Sequence, residues 1–324
     1  MKVKVSELRE KVLAGVAKLG YKDEDATIIA NVLLYAQLRG NNQGVTKIAT
    51  GGVPKASEVK ELKIAKENKC GALLSGGHSM VASVKAADMA VGLGAEHGVG
   101  VVGVNHTFSS SGAIGYYARR VAEKGYIGLV CAGSTASIVA PSGSAEPKLG
   151  TNPLAYAFPY KDGVVVFDIA TAAMARFGVI EAKLKGEELP AGTGYDNNGN
   201  PSTDPAAVLD GSVATFAGHK GFGLALLVQM LASPFVLAGI AGAHEEDGWG
   251  TVVFAIDPGL FAGKEAYTQR VTELVEHVKS AKQMPGQKVL LPGERGDNLA
   301  KQAEESGEIE IADAVWDELS VFVA

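Results

Sequence analysis

Apolar residues recur at helical spacing from the start of the chain: Leu8, Val12, Val16 and Leu19 lie three to four residues apart and stop at Gly20. That spacing predicts an amphipathic helix. A second helix is expected from Asp23, whose Asp23-Glu24-Asp25 opening suits the positive end of a helix dipole, to about Leu38. Two more are expected, one after Pro54 and one over about Val81 to His97. The apolar run from Val99 to Val104 then reads as a buried strand, and helix and strand alternate over Ala113 to Glu123 and Ile127 to Cys131. Beyond Gly150 the rhythm changes. Leu154 to Phe158 and Val164 to Ile169 are neighbouring strands whose turn, Lys161-Asp162-Gly163, predicts antiparallel pairing. The expectation is completed by a helix over about Ala172 to Lys185, a Gly/Asn/Pro-rich loop from Gly192 to Pro205 and an apolar helix from Gly221 to Leu231. A strand from Thr251 to Ile256, a charged helix from Lys264 to Ala281 and a short C-terminal helix follow.

The 324 residues can bury a large core and show no internal repeat, so disorder is excluded and any lobes interleave along the chain. Net charge is −6 with Lys and Arg scattered, which leaves no basic face for nucleic acid or an anionic membrane and favours a small-molecule partner. No apolar stretch approaches the roughly 18 residues of a membrane span and no leader-like apolar segment opens the chain, so a cytoplasmic protein is expected. Cys70 and Cys131 stand alone, without a CxxC pair, which suits a reducing compartment and argues against a disulfide scaffold. No His/Asp/Glu spacing makes a metal site; His244-Glu-Glu-Asp247 reads as an acidic loop, so no metal is expected.

Two glycine clusters could address a phosphate. Gly98-Val-Gly-Val-Val-Gly103 matches GxGxxG, but a dinucleotide fingerprint follows a strand and opens a helix, whereas these glycines follow a helix and merge into a strand. Close packing in a strand is the better reading. Ala217-Gly-His-Lys-Gly-Phe-Gly-Leu224 instead precedes an apolar helix, so its free N–H groups and Lys220 would face an anion. A glycine-rich helix start with a solvated lysine is the plainer alternative, and spacing alone does not separate the two.

Ala217 to Ala225 resembles the GGxKGxGLA element of the malate/L-lactate/ureidoglycolate dehydrogenase-like family. Other segments match that family's pattern in order: Ala36-Gln-Leu-Arg-Gly40, Glu96 to Gly103, Gly115-Tyr-Tyr117, Val139-Ala-Pro-Ser-Gly143 and Leu149-Gly-Thr-Asn-Pro153. Asp168-Ile-Ala-Thr171, Asn198 to Pro205, Phe254 to Pro258 and Leu291-Pro-Gly-Glu-Arg295 extend the match over nearly the whole chain. Each element is weak alone; the ordered set is specific. The resemblance implies an oxidoreductase using NAD or NADP, acting on small 2-oxo acids or cyclic imino acids and the matching L-2-hydroxy or amino acids, and working as a homodimer. It implies an α/β fold of mixed α+β character, non-Rossmann, with a largely antiparallel central sheet flanked by helices and a helical N-terminal lobe. The expected organisation is a lobe over 1–75, an interleaved cofactor- and substrate-binding core over 76–260, and a helical segment over 261–324 that returns to the first lobe. By position, Lys220 and Gly221 would meet cofactor phosphate, with His219 bordering that cradle and touching the cofactor; Thr135, Ala136, Ala170, Thr171 and Ala172 would line the cofactor, and Gly293, Glu294 and Arg295 would close over it. Thr151 and Asn152 would lie near nicotinamide and substrate.

Departures from the pattern bear on the chemistry. Where the family carries Ser-His-Gly-Val-x-Arg, this chain reads Asn42-Gln-Gly-Val-Thr-Lys47, and where many members place a second His it has Ser110. Ketone reduction needs a proton on oxygen, and Gln43 can only donate a hydrogen bond. Lys47 can still pair with a substrate carboxylate, without the bidentate fork of Arg. His106, expected just past a strand end in Asn105-His-Thr-Phe-Ser-Ser-Ser111, becomes the expected acid/base, with Gln43, Lys47 and Ser110 completing the catalytic set. Three functions compete: a 2-oxo acid reductase, a cyclic imino acid reductase whose iminium substrate arrives already activated, and a cofactor-binding protein that has lost catalysis.

Overall fold

A computed structural model describes residues 1–41 and 43–324, apart from the side chain of Leu184. Its central sheet contains Lys63–Asn68 (β1), Gly71–Ser75 (β2), Val99–Thr107 (β3), Ile127–Gly133 (β4), Leu154–Tyr160 (β5), Gly163–Ile169 (β6) and Trp249–Ile256 (β7). Their spatial order is β1-β2-β3-β7-β4-β5-β6, with β2 and β3 parallel and every other neighbouring pair antiparallel. Around this mixed seven-stranded sheet lie helices Val5–Lys18 (α1), Asp23–Leu38 (α2), Ser79–His97 (α3), Gly115–Glu123 (α4), Arg176–Lys185 (α5), His219–Ala232 (α6), Lys264–Lys279 (α7), Glu294–Ser306 (α8) and Asp313–Val323 (α9). No described helix is long and apolar enough to cross a membrane.

The apolar periodicity explains the packing. Leu8, Val12 and Val16 of α1 and Ile29 and Leu33 of α2 join Met80, Tyr117, Val102, Val130 and Val253 in one core against the sheet, closed by Trp316 and Leu319 of α9. A separate cluster of Val139, Leu149, Val179, Leu189, Val208, Val213 and Ala225 supports α5 and the start of α6. Lys2–Lys4 pairs with Glu308–Glu310, with Val3 opposite Ile309, so the two ends of the chain are tied together. The site forms where the two cores meet.

Two expectations are corrected. The segment after Pro54 forms a single 3₁₀ turn, Ala56–Glu58, followed by the hairpin β1–β2. Every residue of β1 is exposed, so Lys63, Lys66 and Glu67 show no apolar alternation, a charged edge strand that discourages further pairing. The C-terminal region holds two helices instead of one, because α8 buries only Ala303 and leaves little apolar signal. The Gly98–Gly103 segment is a helix end and strand: Gly98 terminates α3 at φ 81°, and a Cβ on Gly100 would collide with the Ala90 carbonyl. These glycines let α3 sit close on β3.

Candidate active site

A cavity of about 450 Å³ lies at the junction of the cores. Its wall is built from Asn41, Gln43, Lys47, Gly51 and Gly52, the Phe108–Ala113 turn after β3, the end of β4, the turn before β5, the end of β6 and the start of α5. It gathers Gln43, Lys47, Ser110, Ala136, Thr151, Asn152 and Ala170, seven of the residues expected from sequence. Asn42 lies outside the described residues. His106 does not line this cavity; it falls inside β3 at φ 53°, with its backbone against Gly248.

Lys47 sits on the short helix Thr46–Ala49 and is only 2 % exposed. The chain folds back over its stem at Gly52, where a Cβ would lie 2.9 Å from the Lys47 Cβ. Its ammonium stands 4.3 Å from the centroid of the Phe177 ring and pairs with no carboxylate among the described residues. Burial alone lowers its pKa from the ordinary lysine range to about 8. An unpaired buried cation is costly, so its retention beside a cavity is a functional signal.

Asp168, at the end of β6, forms part of the same wall. Its Oδ2 accepts a 2.7 Å hydrogen bond from the Gly115 N–H at the start of α4. Burial raises its pKa to about 6 against the opposing pull of that bond. The neighbouring turn is held from behind: the Tyr117 hydroxyl donates to the Ser111 carbonyl at 2.5 Å, and the Ser109 hydroxyl accepts from Ser79 N–H at 2.8 Å. Ser110 Oγ accepts from Gly112 N–H at 3.2 Å.

Asn152 is held in the left-handed region at φ 40°, 1 % exposed. Its amide donates to the Ala225 carbonyl at 3.0 Å and to Gln229 Oε1 at 2.9 Å, while Gln229 donates onward to Ser233 at 2.6 Å. Asn152 Oδ1 is left buried without a hydrogen-bond partner among the described residues, on a residue that lines the cavity. Thr171 donates to the carbonyls of Thr151 and Asn152, at 3.1 and 3.0 Å, and so fixes that turn. Thr135 accepts from the Trp249 indole at 3.2 Å.

The phosphate cradle is formed as a helix start. Gly218, at φ 60°, precedes α6, and His219 and Lys220 are exposed at its first turn while Gly221 is buried against the Phe216 backbone. A smaller cavity of about 210 Å³ opens there, bounded by Ala140 to Gly143, Ala173, Thr215, Ala217 and Gly218. The chain from Ala170 to Ala173 runs between the two cavities, with Thr171 and Ala172 buried, so an extended ligand could touch both. Gly293 abuts the Val166 carbonyl beside β6, Glu294 pairs with Lys279 and accepts from Leu291 N–H at 2.8 Å, and Arg295 faces a third cavity shared with Arg39 and Asn41. Asn41 borders both that cavity and the one around Lys47.

Sequence reading did not single out Arg176 or Phe177, and it quoted Asp168 only as part of a motif. Phe177 reads as an ordinary apolar helix residue; its role appears only when α5 folds over Thr46–Ala49. Outside the cavity, His244, Glu246 and Asp247 bring ligand atoms within 4.8 Å on an exposed loop. His78 is buried; its Nδ1 accepts from Met80 N–H at 3.2 Å and caps α3.

Comparison with known proteins gives the chain relatives. The profile of the malate/L-lactate dehydrogenase family matches residues 3–320. The malate/(S)-sulfolactate dehydrogenase of Methanothermus fervidus is 34 % identical over 324 residues, covering 95 % of this chain and 93 % of that protein. A Delta(1)-pyrroline-2-carboxylate/Delta(1)-piperideine-2-carboxylate reductase of Pseudomonas putida is 34 % identical over 245 residues, covering 72 % of this chain and 69 % of its own. The solved sulfolactate dehydrogenase of Methanocaldococcus jannaschii superimposes with a TM-score of 0.85 at 31 % identity, covering 99 % of this chain and 96 % of that one. With the match running almost from end to end in both sequence and fold, the chain belongs to the malate/L-lactate dehydrogenase family of nicotinamide-dependent oxidoreductases.

Proposed function

We propose that the protein interconverts a small 2-oxo acid and its L-2-hydroxy acid, using NAD or NADP, in the cavity around Lys47. The observation that carries this reading is the buried Lys47 ammonium, unpaired among the described residues, at a cavity also lined by Asn152, whose buried Oδ1 has no partner among those residues. Both are completed by a ligand that brings a carboxylate and a hydrogen-bond donor. The bound nicotinamide would supply or accept hydride. Lys220 and the N–H groups opening α6 would hold its phosphates, the Ala170–Ala172 stretch with Thr135 and Ala136 would support it, and Gly293 to Arg295 would close from the β6 side. Lys47 attracts the substrate carboxylate, with Arg176 at the exposed start of α5 as a second cation; Gln43, Ser110 and Thr151 offer hydrogen bonds.

The fold reading is a non-Rossmann one, supported by the single parallel strand pair and by the absence of a phosphate turn at Gly98 to Gly103 among the described residues. A homodimer is supported by the apolar face of α6 and its continuation: Leu227, Met230, Phe235 and Leu237 are 46 %, 55 %, 61 % and 69 % exposed. The unpaired thiols of Cys70 and Cys131 suit a cytoplasmic setting.

A second reading, cyclic imino acid reduction, is favoured by Gln43 and Ser110, because an iminium needs no proton delivered to it. Oxidation of NADH and NADPH followed with oxaloacetate, pyruvate and piperideine-2-carboxylate over a range of pH separates the readings. Reduction of an oxo acid is expected; turnover of the imine alone selects the second reading, and silence with every substrate and both cofactors leaves a cofactor-binding protein without catalysis. Lys220→Met is expected to raise the cofactor KM about tenfold, equivalent to about 1.4 kcal/mol, with kcat little changed. An unchanged KM would remove Lys220 from the phosphate site.

A further inference from the structure

We propose that Lys47 is the proton donor of the reaction, doing for the substrate oxygen what a histidine does elsewhere. The inference rests on the 2-oxo acid reading above. As hydride adds to the carbonyl carbon, the π pair of C=O moves to oxygen, and that oxygen needs a proton within hydrogen-bond reach. Among the described residues lining the cavity, Asn41, Gln43, Thr151, Asn152, Trp249, Ser134 and the serines of the Ser109–Ser111 turn do not ionise near neutrality, and Arg176 does not release its proton. His106 lies off the wall. Asp168 accepts from the Gly115 N–H through one oxygen, and with burial raising its pKa to about 6 its ionised form predominates at neutral pH. Lys47 remains.

Its surroundings suit the role. The ammonium rests on the Phe177 ring face, which favours a cation without taking its proton. Asp168 and Arg176 stand on the same cavity wall; the neighbouring helices carry Glu7, Arg9, Glu10, Lys11 and Lys18 on α1, Glu181, Lys183 and Lys185 on α5, and Asp313, Asp317 and Glu318 on α9, and none of these pairs with Lys47 among the described residues. Lys11 and Lys18 instead lie over Trp316 and Phe322. Burial thus sets a pKa of about 8, so the group is charged at neutral pH yet releases a proton readily. In the step, an N–H bond of Lys47 breaks and an O–H bond forms while the nicotinamide is oxidised by loss of hydride. The neutral amine then regains a proton from water as the hydroxy acid leaves. In the oxidative direction the neutral amine accepts the hydroxyl proton. Reduction should therefore fall above about pH 8 and oxidation should rise towards it.

Lys47→Arg separates proton delivery from charge, since a guanidinium keeps the cation but gives up no proton in this range. Expected is a fall of roughly 10²- to 10⁴-fold in kcat for reduction with KM changed far less, and loss of the alkaline limb near pH 8. A kcat close to the wild-type value, or a retained limb, would overturn the proposal. A readout independent of turnover is calorimetry of oxalate binding to the protein in buffers of different ionisation enthalpy, above the pKa of Lys47. The wild type should take up close to one proton as the anion recharges Lys47, and Lys47→Arg none; equal uptake by both overturns the assignment. A wild type that reduces no 2-oxo acid while still showing the Lys47-dependent proton uptake overturns the underlying reading and the donor role together, but a wild type that reduces oxo acids with no such uptake overturns the donor role alone.

Discussion

Lys47→Met is expected to lose activity and gain stability at once. Turnover should fall by roughly 10²- to 10⁴-fold, since the variant lacks both the cation and the proton. Stability at neutral pH should rise, because the lysine is buried without a counter-ion among the described residues and its pKa drops from 10.5 to about 8 on folding. At about 1.4 kcal/mol per unit, the charged form costs the folded state on the order of 3 kcal/mol. The sign follows from proton counting: between pH 8 and 10.5 the unfolded chain binds more protons than the native one, so wild-type stability climbs with pH through that window. The Met variant should lack that climb and match the stable, high-pH wild type at pH 7. Urea denaturation at neutral and alkaline pH measures both, and a variant less stable than wild type at neutral pH would show that Lys47 is held by interactions other than those described. A residue that weakens the fold and is kept nonetheless is the signature of a functional group.

Tyr117→Ala is the largest loss of stability expected, roughly 3–5 kcal/mol, because this fully buried ring fills the space between α3, α4 and the sheet. Tyr117→Phe should cost about 1 kcal/mol, since it keeps the ring and removes only the hydroxyl donated to Ser111. That carbonyl belongs to the turn carrying Ser109 to Ser111, so the Phe variant should also raise the substrate KM. Thermal and urea unfolding of the two variants checks the ordering; equal costs would mean that the hydrogen bond, not the packed ring, dominates.

How much of this was legible beforehand depends on where the information resides. Strands β3 to β7 announce themselves because each puts apolar residues into a core, as Val102, Val130 and Val253 do. The edge strand β1 is silent because edges are protected by charge, not apolar pattern. Within the site, the turn at Thr151 and Asn152 and the cradle at Lys220 stand in recognisable segments, since their function is local backbone geometry. Lys47 was legible as a residue type but not as a buried one: in Val-Thr-Lys-Ile it resembles any surface cation, and the Phe177 ring against its ammonium comes from 130 positions later. The expectation placed on His106 assumed a strand that ends before it, whereas β3 runs on to Thr107 and carries His106 away from the cavity.

The most direct test of the central claim is a crystal structure with NADH and oxalate bound. The account predicts the nicotinamide ring in the cavity beside Asn152, its carboxamide nitrogen donating to Asn152 Oδ1, an oxalate carboxylate on Lys47 Nζ, and the pyrophosphate at Gly218 to Lys220. A ring seated away from Lys47, or a pyrophosphate against Gly98 to Gly103, would contradict it.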